Sequence, residues 1–144
     1  MSDEFDRDRK QALHDLDEAR AKLLETIRKL TDDDLAKGRR GHWTIREAIE
    51  HVVGSDRGTA AGIAERTGAE RLTFDWPSIS SIANAIQSLE QGLQAMHAAC
   101  EGMSEEGFYE MKPFHGQDSS ILGILGTSTT HDGEHGEQIR TLLG

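Results

Sequence analysis

Apolar residues recur at intervals of three and four along four long stretches of this 144-residue chain. That period fits an α-helix with one buried face and does not fit a strand. Leu13, Leu16, Ala19, Leu23, Ile27 and Leu30 mark a first helix over about 5–30. Ile45, Ala48, Ile49, Val52, Val53, Ala60 and Ile63 mark a second, which fades near Thr67 and Gly68. Ile82, Ile86, Leu89, Leu93, Met96 and Cys100 mark a third over about 79–99, and the last runs from Ser119 or Ser120 to Leu143. Thr44 with Glu47 makes a capping box at the start of the second. Prolines are only two, Pro77 and Pro113, and both fall in connections. The reading is an all-α chain, one domain over 1–144, folded as a four-helix bundle.

The fourth stripe is broken. Between Leu125 and Ile139 there is no Val, Ile, Leu, Met or aromatic residue, and two histidines, His131 and His135, stand in the gap. Projected at 3.6 residues per turn, the core-facing series is Ile121, Leu125, Ser128, His131 with Asp132, His135, Ile139 and Leu142. Losing apolar burial over several turns costs stability unless something else fills the space. A divalent metal fills it well, because imidazoles at i and i+4 can reach one ion. A third ligand then comes from another helix. His51, beside the apolar stripe of the second, is the candidate. Three neutral imidazoles with an open fourth position describe a reactive site. Gly126, Gly133 and Gly136 leave room around the ion. The plainer alternative is two solvated histidines on a polar helix face.

The remaining histidines fit structural roles. His14 sits in a charged helix, His42 and His115 fall in connections, and His97 borders the third stripe as a spare ligand. "HDGEH" matches the inverted zinc-peptidase signature H-x-x-E-H, with Glu134 as base. Only nine residues follow His135, too few to supply that family's downstream acidic ligand, and the match is read as coincidence. Cys100 reads as a small core residue, so no nucleophile other than a metal-bound one is evident.

Composition narrows the partners. Twenty-six acidic residues against sixteen basic ones give a net charge of −10, with no Lys/Arg cluster. Nucleic acid and anionic membranes are therefore excluded as expected partners. No apolar run spans a bilayer, and the N-terminus lacks a signal-peptide core, so a cytoplasmic protein is expected.

"HWTIREAIEHV" and "HDGEHGEQIR" together resemble the W-S/T-x-x-E-x-x-x-H and H-x-x-x-H-x-x-Q-I motifs of the DinB-like (DinB/YfiT) superfamily. The resemblance covers nearly the whole chain. It implies an up-down-down-up bundle and a divalent ion, nickel or zinc, on residues matching His51, His131 and His135. It also implies frequent homodimers and relatives that act as metal-dependent thiol S-transferases or as a mycothiol-dependent maleylpyruvate isomerase. The expected function is then a metal-dependent thiol S-transferase or hydrolase acting on a small electrophile with a low-molecular-weight thiol. The alternative is a non-catalytic bundle that binds a metal or small ligand. Gln138 is expected beside the ligands or in the pocket; Glu47 either caps its helix or orients His51. Gly58 and Gly62, with Ala60 and Ala61, are expected to let a second copy approach closely in a homodimer.

Overall fold

The computed structural model describes residues 2–68 and 75–144. The connection expected over 66–78 therefore lies partly outside the described residues.

Among the described residues five α-helices and one hairpin follow in order: α1 (Asp3–Arg28), α2 (Ile45–Arg66), α3 (Ile82–Cys100), the short α4 (Glu105–Tyr109), β1 (Lys112–Phe114), β2 (Gln117–Ser119) and α5 (Ile121–Leu143). A 3-10 turn, Asp32–Ala36, follows α1. Every α-helix starts on a hydroxyl side chain that accepts from a first-turn N–H: Ser2, Thr44, Ser81, Ser104 and Ser120. The third helix begins three residues later than its spacing predicts, because Ile79 is spent on the connection. Its N–H donates to Glu50 Oε2 at 2.9 Å, and its carbonyl accepts from Arg46 at 3.0 Å.

Two apolar clusters give the direction of each helix. One joins Phe5 and Leu16 of α1 to Ile63 of α2, Met96 and Cys100 of α3, and Ile121 of α5. The other joins Leu23 and Ile27 of α1 to Ile45 and Ile49 of α2, Ala85 and Leu89 of α3, and Ile139 of α5. So α1 and α5 run one way, and α2 and α3 the other, which is the up-down-down-up order. Helix α1 packs on α5 and α3, and α2 packs on α3 and α5, which places α1 and α2 on a diagonal. A parallel α2–α3 pair requires the chain to return the length of the bundle between them. Residues 75–81 make the last part of that return along α2. Arg57 donates to the Asp75 carbonyl at 3.0 Å, the Trp76 ring lies over Gly54, and Ile79 meets Glu50 and Arg46. A Cβ on Gly54 would stand 2.5 Å from Trp76 Cζ3.

The connection after α3, in which the sequence places Pro113 and His115, contains α4 and the hairpin. Its two-residue turn, His115–Gly116, has positive φ at both positions (50° and 83°), as a tight hairpin turn requires. Arg66 at the end of α2 holds the hairpin by donating to the Ser119 carbonyl at 2.6 Å and the Lys112 carbonyl at 2.8 Å. Among the described residues no helix is long and apolar enough to cross a membrane.

Candidate metal centre

The gap in the α5 stripe lies opposite Arg20. This arginine of α1 is fully buried, and all five of its N–H donors are used. Nε and Nη2 donate to the two oxygens of Asp132 on α5, at 2.6 and 3.0 Å. Nη1 and Nη2 each donate to Asp56 on α2 at 2.8 Å, and Nη1 also donates to the Leu89 carbonyl of α3 at 2.8 Å. One guanidinium therefore touches every long helix. Gly92 of α3 makes the space, since a Cβ there would stand 2.3 Å from Asp56 Oδ2. Burial works against the charge on Arg20, yet its two carboxylates hold its pKa above the ordinary value. Burial pushes Asp56 up, and Arg20 opposes that shift.

This network corrects the projected facing of α5. His131 is exposed and His135 half-buried; the residues of the gap that turn inward are Asp132 and Gly136. Asp132 meets Arg20 on the inner side of α5, and both histidines stand at the edge between α5 and α2. His51 comes to the same edge. The His51 and His135 ring centres are 5.0 Å apart, and those of His135 and His131 5.8 Å apart. The three expected residues are thus brought together, with His135 in the middle.

The surroundings of His51 favour its neutral, ligating form. Burial, followed by the neighbouring rings of His135 and His131, holds the pKa of His51 below its ordinary range. His135 Nδ1 lies 2.9 Å from Gln138 Oε1, so a proton on Nδ1 leaves the lone pair on Nε2. Glu47 takes only the capping role, accepting from the Thr44 N–H at 3.1 Å. The neighbour of His51 is instead the Trp43 ring, with centres 4.8 Å apart.

Two imidazoles held tetrahedrally on one zinc at about 2.0–2.1 Å have ring centres about 5 Å apart. The two spacings about His135, 5.0 and 5.8 Å, are close to that, and the donor set is three imidazoles. Among the described residues no three His, Cys, Asp or Glu already form a metal-holding group.

A cleft of about 590 Å³ opens from the histidines. Ser55, Asp56 and Thr59 of α2 and Ser128 of α5 line it, and Trp76, Phe114 and His115 wall it. The aromatic walls were invisible to a helical-period reading, because they come from the α2–α3 connection and the hairpin turn. His115 was assigned to a plain connection; its place in the cleft follows from the tight turn. The rest of the histidine assignments match: His14 is exposed beside Glu18, and His97 pairs with Asp17 at 2.6 Å away from this cleft. Glu134, the base of the rejected peptidase motif, is exposed. Of the small-residue patch on α2, Gly62 packs within the chain against Phe114, Ala60 and Ala61 are buried, and the half-buried Gly58 lines the cleft.

No curated protein matches this sequence. Among solved structures, a DinB-like protein from Bacillus cereus ATCC 10987 superimposes with a TM-score of 0.66 at 22% identity, over 86% of this chain and 83% of that one. At that identity the likeness concerns the fold. The sequence pattern of the DinB superfamily matches residues 15–139, a span that takes in Arg20, His51, Asp56, His131 and His135. A match over most of the chain, joined to the up-down-down-up order of its helices, means that this protein belongs to the DinB superfamily.

Proposed function

We propose that the protein binds a divalent metal ion, nickel or zinc, through His51, His131 and His135, and uses it on a small molecule held in the adjoining cleft. The observation that carries this reading is the row of three imidazoles, 5.0 and 5.8 Å apart, at the edge of a cleft of about 590 Å³. Such an ion lowers the pKa of a coordinated water or thiol and supplies a nucleophile near neutral pH. The chain's residues do the rest. Gln138 orients His135, and Trp43 packs on His51. Trp76, Phe114 and His115 shield the cleft from water and hold an apolar substrate body. Burial and a raised pKa make Cys100 a poor rival nucleophile, which favours one delivered by the metal. The reaction class supported best is thiol S-transfer to, or hydrolysis of, a small electrophile in the cytoplasm.

Metal analysis of untagged protein tests the first half. About one ion per chain is expected, and His131→Ala should abolish binding while the helical circular-dichroism signal persists. Absence of bound nickel or zinc, with no uptake on titration, overturns the reading. Turnover of an electrophile that depends on both metal and added thiol identifies the transferase. Turnover with water alone identifies the hydrolase, and metal without turnover leaves a non-catalytic binding bundle. The resemblance to a family rich in homodimers extends the proposal to a dimer. Light scattering should then give twice the 15.9 kDa chain mass, with an interface away from the covered Gly62 patch.

A further inference from the structure

The helices that carry the three histidines are also the two that Arg20 holds through carboxylates. His51 and Asp56 share α2, while His131, Asp132 and His135 share α5. We infer that Arg20 is a positioning residue for the histidine cluster: through Asp132 and Asp56 it sets the rotation of α5 and α2 about their axes, and with it the meeting of the rings. The inference rests on that cluster being the proposed metal site.

The argument is strongest for α5. From Leu125 to Ile139 the helix advances about 21 Å, at 1.5 Å per residue. Between those two buried residues only Asp132 and Gly136 are buried. A glycine carries no side chain to register rotation, so Asp132 is the one side chain in the span that anchors the helix to the core. It is gripped at both oxygens by Nε and Nη2 of Arg20, a two-pronged arrangement that fixes direction as well as distance. Packed apolar side chains also register rotation, but between Leu125 and Ile139 α5 buries none. Rotation matters because the atoms are far from the axis. A swing of about 20° moves an atom 5–6 Å from the axis by about 2 Å, the full length of a zinc–nitrogen bond. Helix α2 also has Val52 and Val53 in the core beside His51, so it depends less on the clasp.

The test uses Asp132→Ala. In that variant Arg20 keeps Asp56 and the Leu89 carbonyl, and water from the cleft can reach its freed donors, because Asp132 lines the cleft. Two readouts are compared with the wild type: the nuclear Overhauser contact between the His51 and His135 rings in metal-free protein, and affinity for zinc(II) alone. The expected result is loss of the ring contact and a zinc affinity about 10–100-fold weaker, at temperatures where the variant is folded. A folded Asp132→Ala protein that keeps both overturns the inference, since a merely structural clasp would lower only the melting temperature. If Asp132→Ala does not fold, the apolar exchange R20M/D56L/D132L gives the same readouts, because such replacements of buried ion clusters often preserve stability. A wild type that shows the ring contact but takes up no zinc defeats the metal reading; the ring contact alone then decides the positioning role.

Discussion

The two ends of the bundle and its waist are held by different physics. At the ends, Phe5, Ile63 and Phe108, or Ile27, Ile49 and Leu89, exclude water and contribute in proportion to area. At the waist, Arg20 meets Asp56 and Asp132 through four hydrogen bonds of defined direction, and the Leu89 carbonyl through a fifth. The ends fix how much the helices are buried, and the waist fixes how they face. This explains the gap in the last stripe. Apolar residues are missing from the middle of α5 because the position that faces the core there is an ion-pair partner. The histidines beside it are then free to face the cleft.

Removing one partner from the waist should break this contrast most visibly. Arg20→Ala leaves two carboxylates buried without their cation and is expected to cost about 3–5 kcal/mol in urea unfolding. Ile63→Val, in the fully buried apolar end, is expected to cost only about 0.5–1.5 kcal/mol. Equal costs would mean that the waist is held like the ends. Gly133→Ala probes the same helix from outside. The glycine is helical and a Cβ there meets nothing within 4 Å, so the change should stabilise by up to about 1 kcal/mol and raise the melting temperature. A loss of stability would mean that Gly133 has a packing role absent from this structure.

The smallest effect concerns Cys100 in the apolar end. Burial pushes its thiol from 9.0 up to about 11. The native state therefore holds the proton more tightly than the unfolded chain does. The stability this contributes is fully present below pH 9 and is lost as pH rises to about 11. At pH 8 an alkylating reagent should leave the folded thiol intact and modify it once urea unfolds the chain. Rapid labelling of native protein would put the cysteine outside the core.

Much of this organisation was legible in the sequence. The periods of Leu13–Leu30 and Ile45–Ile63 mark helices because each buries one face, and His51, His131 and His135 could be named because they interrupt or border such faces. Arg20 was hidden by its own type. A charged residue in a helix full of charges reads as solvated, and only its three-dimensional partners, 36 and 112 residues away, make it a core residue. Asp132 was placed on the facing side, but its partner was not. Trp76, Phe114 and His115 escaped because connections carry no period. The positive φ of His115 depends on a two-residue turn that the following Gly116 only hints at.

The order of the helices also sets a schedule for making the protein. The first and last helices are parallel neighbours, so the contacts between them close the longest loop in the chain. While the chain is being synthesised, Arg20 can meet Asp56 as a one-to-one pair long before Asp132 exists. The second carboxylate arrives only with the final helix. Until then the faces of Leu16, Leu23 and Ile27 that α5 will cover stay open to other chains. Such long-range pairing slows folding relative to a bundle of consecutive neighbours. The nascent protein therefore spends its most aggregation-prone interval waiting for the same segment that brings its histidines.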